Sequence, residues 1–320
     1  MRTLWKEVGT AFLLGAVIPG ILLNLSAAVL TGQAREVTAA VAETRAPEAI
    51  RWVKLRRNDG TLQTLEMGEY LTGVLLGEVP ADFEPEALKA QAVAARTYTA
   101  KAMATGGKHA DGSLCADPGC CQAYLTQEAY LSLGGSPEAV EKIRSAEEDT
   151  GDLVLTYEGE LIEATYFSCS GGITEDAKAV WGTEYPYLQS VDSPGEENAA
   201  HYRDQFSFTG EELQEKLGVT LTGAPATWFA DTVYTAGGGV DTMVIGGQTY
   251  GGTQLRSLLG LPSTAFAVTI QGDTVTFATK GYGHRVGMSQ YGADAMAVLG
   301  STFAEILEHY YPGTRLEALP

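Results

Sequence analysis

Positive charge is scarce in this 320-residue chain. Lys and Arg number 21 against 40 Asp and Glu, the formal net charge is −19, and no basic run extends beyond Arg56-Arg57. This balance argues against a nucleic acid as partner. The sequence also lacks an internal repeat, and its 38 glycines form short clusters without a fixed period, which indicates tight turns between short strands. With 45% hydrophobic residues, the chain can form a substantial core and is not disordered.

Charge is absent from one long stretch, residues 8–34, which is apolar enough to cross a bilayer at roughly 20 residues per span. Arg2 and Lys6 precede it, which favours a cytoplasmic N-terminus. We therefore expect a cytoplasmic tail (1–8), a single transmembrane anchor (9–31), a linker (32–47) and an extracytoplasmic domain (48–320). A cleaved signal peptide is the alternative, because small residues follow the apolar run.

The remaining sequence lacks the regular βαβ alternation of a parallel sheet, so we expect an α+β fold. Alternating apolar positions around Asn58-Asp59-Gly60 predict a β-hairpin. A helix is predicted over 84–104, because Pro85 suits a first turn and Gly106-Gly107 stop the pattern. Shorter helices are predicted in GEELQEKLGV, TQLRSLLGL and SQYGADAMAVLGSTFAEILEHYY, and strands in the segments between them.

The first candidate site is the stretch GEVPADFEPEALKAQAVAARTY, residues 77–98. Glu78 precedes a turn containing Pro80, and Lys89 and Arg96 fall on one face of the helix that follows. The other faces are rich in Ala and Val, so we expect the helix to be packed on most sides, with few routes to water for the cations. A solvated, salt-bridged face is the alternative.

Two glycine-rich segments are further candidates for a ligand-binding site. YFSCSGGITE (166–175) follows a predicted strand, and GYGHRVGMSQYGA (281–293) enters a predicted helix. Such loops let the backbone approach a ligand closely, although glycine loops more often only turn the chain. The candidate substrate-binding residues in these segments are Tyr166, Ser168, Ser170, Gly171, His284 and Gln290.

In order and spacing, these three segments and ILEHYYPGT resemble the stage II sporulation protein D family, which includes amidase-enhancer relatives. The resemblance covers about residues 48–317. It implies a membrane-anchored lytic transglycosylase acting on peptidoglycan between the forespore and mother-cell membranes during engulfment. We expect the extracytoplasmic domain to form two lobes around a substrate cleft lined by the three segments. The resemblance also implies two partners, a cell-wall amidase and a membrane scaffold protein, and a preference for strands already stripped of stem peptides. The family's catalytic acid maps onto Glu78, and its basic residues map onto Lys89 and Arg96.

The chemistry fits a single carboxyl group. An acid whose pKa is raised by an apolar setting can protonate the leaving oxygen, after which the muramic acid 6-hydroxyl, not water, attacks. Lys89 and Arg96 close to Glu78 would lower its pKa, so we expect them to hold substrate oxygens or acetamido groups while burial raises that pKa. Asp82 in the cleft would instead permit a hydrolytic muramidase. A non-catalytic peptidoglycan-binding activator of an amidase is the rival from another class.

The cysteines are few, and three of the four fall in one loop at about residues 105–123. His109, Cys115, Cys120 and Cys121 together suit a structural tetrahedral zinc site, although the spacing is not that of a standard zinc finger. Some members of the family that this chain resembles carry a His/Cys metal site at this place in the chain. A disulfide of Cys115 that leaves a free thiol is the alternative for an exported protein.

Three further residues carry open expectations. Cys169 is expected to be a buried or substrate-lining thiol, with a nucleophilic pairing to His284 as the alternative. Trp181 is expected in the core. Arg285 either contacts substrate or covers its loop.

Overall fold

The computed structural model describes residues 48–319. The predicted anchor at 9–31 and the linker at 32–47 lie outside the described residues. Within residues 48–319, no helix combines the length and apolar composition needed to span a bilayer.

The described part of the chain mixes helices and sheets, which confirms the α+β class. The helices are α1 (Glu48–Arg51), α2 (Met67–Glu78), α3 (Pro85–Ala104), α4 (Gln127–Ser132), α5 (Pro137–Asp149), α6 (Ala177–Trp181), α7 (Gly210–Leu217), α8 (Gly252–Leu259), α9 (Gln290–Val298) and α10 (Phe303–Tyr310). The strands are β1 (Trp52–Arg56), β2 (Leu62–Glu66), β3 (Leu114–Cys115), β4 (Leu153–Tyr157), β5 (Glu160–Leu161), β6 (Tyr166–Phe167), β7 (Arg203–Thr209), β8 (Phe229–Tyr234), β9 (Val240–Ile245), β10 (Gln248–Gly251), β11 (Phe266–Gln271), β12 (Thr274–Lys280), β13 (Met288–Ser289) and β14 (Arg315–Ala318).

A first lobe, residues 48–202 and 281–319, is organised around α3. Pro85 occupies the first turn of α3, and the chain reverses beyond its end at Gly106, whose φ of +93° suits glycine. The Ala and Val positions of α3 are buried against α2, α5, α9 and α10, which confirms the predicted tight packing. Two sheets flank this core, in the orders β2-β1-β3 and β14-β4-β5, and the predicted hairpin forms between β1 and β2.

A second lobe, residues 203–280, is inserted between the two glycine-rich segments and has its own core. It consists of two antiparallel sheets, β11-β12-β7 and β10-β9-β8, with α7 and α8. The ring of Phe277 lies at the centre and makes edge-to-face contacts with Phe208, Phe229 and Phe266. Two separate cores give the two-lobed architecture expected from the sequence.

The two glycine-rich segments meet where the chain enters and leaves the second lobe, a place that we call the root of that lobe. Strand β6 of the first segment pairs in parallel with β13 of the second, with Tyr166 opposite Met288 and Phe167 opposite Ser289. Segments that are distant in sequence therefore form one structural unit.

A buried ion pair at this root joins the lobes and accounts for Arg285. Its guanidinium pairs with Glu175 at 3.2 Å and donates to the carbonyl oxygens of Ser170 at 2.7 Å and Gly237 at 2.7 Å. Gly237 belongs to the second lobe, as does Gly239, whose N–H donates to Glu175 at 2.9 Å. Arg285 is 1% exposed, so it holds the lobes together and does not cover the loop from outside.

Candidate active site

Glu78 is the last residue of α2, and its half-buried carboxyl group is held by one backbone donor. The N–H of Ala123 donates to Oε1 of Glu78 at 2.5 Å. Burial raises the pKa of Glu78, and the Ala123 N–H and the neighbouring Gln290 side chain oppose that rise. The position at a helix C-terminus also disfavours the negative charge. A carboxyl group with a raised pKa is suited to donate a proton near neutral pH.

The donor to Glu78 comes from a short extended segment, residues 122–125, which we call the strap. The strap runs along α2, and two glycines of that helix make room for it. A Cβ atom at Gly73 would lie 2.2 Å from the ring of Tyr124, and one at Gly77 would lie 3.0 Å from the Tyr124 nitrogen. A larger residue at Gly73 would displace the Tyr124 ring, and one at Gly77 would press on the backbone of the strap, so α2 positions both the acid and the segment that binds it.

Gln122, the first residue of the strap, is 2% exposed and makes three side-chain hydrogen bonds. Its Nε2 donates to Thr99 Oγ1 at 2.9 Å and to the Tyr70 hydroxyl at 3.2 Å, and its Oε1 accepts from the Tyr166 hydroxyl at 2.8 Å. Burial, with the charge of Glu78 as the next cause, raises the pKa of Tyr166 well above its usual value. Gln122 therefore holds a protonated tyrosine hydroxyl in the neighbourhood of the acid.

Sequence reasoning missed Gln122. The signal available was its position directly after the last cysteine of the cluster, in a loop otherwise interpreted only as metal-binding.

Gln290 begins α9 and lies beside Glu78. It is 6% exposed, and its side chain is near enough to Glu78 to favour the charged carboxylate, yet among residues 48–319 no acceptor lies within hydrogen-bond distance of its Nε2. A buried donor without a partner carries a cost, which a ligand oxygen can remove. Substrate binding by Gln290 stays a prediction, and this unused donor supports it.

The two cations of α3 face α5 and not Glu78. Arg96 is 1% exposed and pairs with Glu147 at 2.8 Å, while Lys89 pairs with Asp149 at 3.2 Å. Neither cation is among the groups that shift the pKa of Glu78. Arg96 thus fastens α3 to α5 and is closed to a ligand, which corrects the expectation that it holds substrate. For Lys89, which is half-buried, substrate binding stays a prediction.

The residues of YFSCSGGITE divide into two groups. Ser170 is fully buried, and its N–H and hydroxyl donate to the carboxylate of Glu196 at 2.6 and 2.9 Å. Gly171 also donates to Glu196, at 3.1 Å, and has a φ of +77°. These two residues therefore stabilise the turn. Ser168 is half-buried, and its carbonyl oxygen accepts from the N–H of Tyr291 at 3.1 Å, which fixes the start of α9.

His284 is a neutral, packed imidazole. Burial, followed by the charge of Arg256, lowers its pKa to about 4. Its Nδ1 accepts from the N–H of Val286 at 3.1 Å, and its ring lies 5.6 Å from Phe167 and 5.3 Å from Trp181. The expectation that Trp181 lies in the core is wrong: it is 42% exposed, because α6 ends there and only one side of the indole packs.

Cys169 is a buried thiol, as expected. It is 0% exposed, and burial raises its pKa to about 11. A thiol that stays protonated at neutral pH is a poor nucleophile. The nucleophilic pairing with His284 therefore has no support in the geometry.

Asp82 does not act on Glu78. It is exposed and lines a separate cavity with Tyr291 and Asp294. No carboxylate is among the groups that shift the pKa of Glu78, which is thus a single acid in its surroundings.

The four predicted metal ligands converge. The ligand atoms of His109, Cys115, Cys120 and Cys121 all lie within 4.8 Å of one another. The His109 Nε2 is 3.8 Å from each of the Sγ atoms of Cys120 and Cys121, which are 3.9 Å apart. Tetrahedral Zn–S bonds of about 2.3 Å place sulfur atoms about 3.8 Å apart. All three cysteines are free thiols, so the donor set and the spacing fit a metal ion, and this cluster leads directly into the strap.

Comparisons with known proteins show which family the chain is similar to. A family model described as "SpoIID: Stage II sporulation protein" matches residues 56–157. The chain is 42% identical over 265 residues to stage II sporulation protein D of Bacillus subtilis (strain 168), covering 82% of this chain and 77% of that protein. Stage II sporulation protein D of Bacillus amyloliquefaciens is 41% identical, with 81% and 76% covered. An amidase enhancer of Bacillus subtilis (strain 168) is 30% identical, with 77% and 40% covered.

Proposed function

Since the chain belongs to the stage II sporulation protein D family, we propose that it is a peptidoglycan lytic transglycosylase. Its reaction cleaves glycan strands between N-acetylmuramic acid and N-acetylglucosamine. The observation that carries the proposal is Glu78, a half-buried carboxyl group with a raised pKa on which no second carboxylate acts. Retaining and inverting glycoside hydrolases ordinarily need a pair of carboxylates, whereas a transglycosylase needs one.

The reaction uses Glu78 twice. Protonated Glu78 gives its proton to the glycosidic oxygen as the bond from that oxygen to C1 of muramic acid breaks. The 6-hydroxyl of the same sugar then bonds to C1 and returns its proton to the carboxylate. No water is consumed, the product carries a 1,6-anhydro end, and the acid is restored. The Ala123 N–H stabilises the carboxylate between the two proton transfers, because it already donates to Oε1.

Tyr166 and Gln290 are the substrate contacts that we assign first. The Tyr166 hydroxyl is kept protonated near Glu78, and the Gln290 Nε2 is a buried donor without a partner within residues 48–319. The Gln290 amide can donate to a sugar or acetamido oxygen, whereas the Tyr166 hydroxyl, which gives its proton to Gln122 Oε1, can accept from a sugar hydroxyl. Lys89, Ser168 and His284 are secondary candidates, because none of them is among the groups that shift the pKa of Glu78.

Product analysis tests this function. The full-length protein and its Glu78→Gln variant are incubated with glycan strands stripped of peptides, and the products are identified by mass spectrometry. We expect 1,6-anhydro ends from the unaltered protein only, with a loss of about 10²–10⁴-fold in the variant, the usual contribution of a general acid. Reducing ends would instead indicate a hydrolytic muramidase.

We propose a structural zinc ion bound by His109, Cys115, Cys120 and Cys121. The metal would order the loop that leads into the strap, and with four protein ligands it would leave no position for water. Metal analysis of the purified protein is expected to give about one zinc per chain. Cys115→Ser should lose it, whereas Cys169→Ser should keep it because Cys169 is buried outside the cluster.

The setting of the reaction is also a proposal. We place the protein in the membrane through residues 9–31, with the domain outside the cytoplasm, acting during engulfment beside a cell-wall amidase and a membrane scaffold protein. The sporulation names of its relatives support the role in sporulation, and the uncharged apolar stretch at residues 8–34 supports the anchor. Protease protection in sporangia tests the orientation, since only an external domain is degraded in intact protoplasts.

The alternative function is a non-catalytic activator of an amidase. The similarity to an amidase enhancer over 77% of this chain favours it. Under this alternative, Glu78→Gln would stimulate the amidase fully, and the unaltered protein would release no glycan fragments in the product analysis above.

A further inference from the structure

Arg256, in α8 of the second lobe, is a half-buried cation with no protein partner among residues 48–319. Every other buried or half-buried Lys or Arg of residues 48–319 donates at least one side-chain hydrogen bond. Burial lowers the pKa of Arg256, so the guanidinium has lost part of its hydration without gaining an ion pair. Such a group is available to an anion, and a planar guanidinium matches a carboxylate best.

Backbone contacts place Arg256 beside the glycine-rich segment GYGHRVGMSQYGA (281–293). The Leu261 N–H donates to the Arg256 carbonyl oxygen at 2.9 Å, and the Gly283 N–H donates to the Pro262 carbonyl oxygen at 3.0 Å. The end of α8 is thereby fastened to the loop that carries Tyr282.

Two exposed aromatic rings lie at the same place. Tyr282 is 45% exposed and Trp181 is 42% exposed, and the Trp181 indole packs on His284, whose pKa the charge of Arg256 helps to lower. Aromatic faces pack on the apolar faces of pyranose rings. The surface therefore combines sites for sugar rings with one unpaired cation.

We propose that Arg256, Trp181 and Tyr282 form a glycan subsite in which Arg256 binds the lactyl carboxylate of a muramic acid residue. This inference rests on the proposed function and adds a specificity determinant to it. The lactyl group is a free carboxylate where the stem peptide has been removed, but it is a neutral amide where the peptide remains. Arg256 therefore selects stripped strands by charge.

The subsite lies within reach of the catalytic acid along one strand. His284 contacts Trp181 of the subsite, and Gln290 lies beside Glu78. The chain between these two residues spans at most about 20 Å when extended. A glycan of several sugars covers that distance, and Arg256 is not among the groups that shift the pKa of Glu78, so the carboxylate it binds belongs to a sugar away from the scissile bond. Loss of the Arg256 side chain should therefore weaken glycan binding and leave the proton transfers at Glu78 intact.

Binding measured without turnover tests the subsite. The full-length protein carrying Glu78→Gln is titrated with stripped strands, with the same strands after conversion of their carboxylates to methylamides, and with peptide-bearing strands. We expect stripped strands to bind at least about 10-fold more tightly than methylamidated strands, the effect of one charge-assisted pair. Adding Arg256→Gln should remove this difference, and Arg256→Lys should keep part of it.

Arg315→Gln is the matched control, because Arg315 is an exposed cation in β14 of the first lobe and its loss changes the net charge equally. It should keep the full preference. Equal affinity of the Glu78→Gln protein for stripped and methylamidated strands would overturn the subsite. Tight binding of peptide-bearing strands that Arg256→Gln weakens would overturn it too, since the carboxylate would then come from the stem peptide. Failure of the proposed function is separate: the binding preference would be present while the unaltered protein released no anhydro products.

Discussion

Replacing Arg285 with Met should destabilise the protein by about 3–5 kcal/mol, the usual cost of removing one member of a buried ion pair. Arg285 and Glu175 have side chains 2% and 0% exposed. The guanidinium also donates to the carbonyl oxygens of Ser170, Ile173 and Gly237 at 2.7–2.8 Å. Its loss leaves a buried carboxylate, whose Oε2 already has no partner within residues 48–319, and three carbonyl groups without this donor.

Two further variants separate the cost of the unpaired Glu175 charge from the backbone strain at position 285. Arg285 has a φ of +65°, which costs a residue with a Cβ atom about 1–2 kcal/mol and costs glycine little. Arg285→Gly should therefore be about 1 kcal/mol less harmful than Arg285→Met. Adding Glu175→Gln to Arg285→Met removes the unpaired charge, so we expect the double variant to be more stable than Arg285→Met alone.

Urea unfolding followed by tryptophan fluorescence measures these effects. Trp181 lies in the first lobe and Trp228 in the second, so each lobe carries a probe. Because Arg285 joins the lobes, we expect Arg285→Met to lower the midpoint and to separate the two transitions. A loss below about 1 kcal/mol with one shared transition would refute the role assigned to this ion pair.

Three other predictions concern the acid and the strap. Burial raises the pKa of Glu78 above its ordinary 4.5, so the folded state loses stability as pH rises from that value through the folded pKa. Glu78→Gln should therefore be more stable than the unaltered protein at pH 7. At pH 3, where Glu78 is protonated in both the folded and the unfolded state, thermal melts should show equal stability. Gln122→Leu leaves three hydroxyl groups without this partner and should cost about 3 kcal/mol, with at least a 10-fold loss of kcat at full occupancy by substrate. Gly73→Ala places a Cβ atom 2.2 Å from the Tyr124 ring and should cost about 1–3 kcal/mol and reduce glycan cleavage. Gly106→Ala should cost about 1–2 kcal/mol through its positive φ but leave cleavage unchanged, because its Cβ atom would meet nothing within 4 Å.

Local patterns in the sequence predicted the elements whose causes are themselves local. The hairpin at Asn58-Asp59-Gly60 depends on turn residues, and α3 depends on Pro85 and the glycines beyond its end. The glycine-rich segments were recognised separately, and the pairing of β6 with β13 then brought them together. Glu78 stood out as an acid before a proline turn and a packed helix, and the resemblance to the stage II sporulation protein D family implied its role as the catalytic acid.

The roles of several side chains could not be predicted, because they depend on residues distant in sequence. Arg96 has the spacing of a ligand-binding cation, but its partner Glu147 lies in another helix. Arg285 binds Gly237 of the inserted lobe, and nothing near it in sequence indicates that contact. Arg256 went unnoticed for the opposite reason, since the absence of a partner is visible only when all neighbours are placed.

The strap explains how one carboxyl group can serve both halves of the proposed reaction. Burial and the C-terminal end of α2 favour the protonated form of Glu78, which suits the first proton transfer but makes the carboxylate that follows costly. The Ala123 N–H offsets part of that cost, because its hydrogen bond favours the charged form. Cys121 lies two positions before Ala123, so a metal ion held by the cluster would restrict where that N–H can lie. With a metal ion bound, the cluster would therefore influence the balance between acid and base, although it would contribute no atom to the proton transfers.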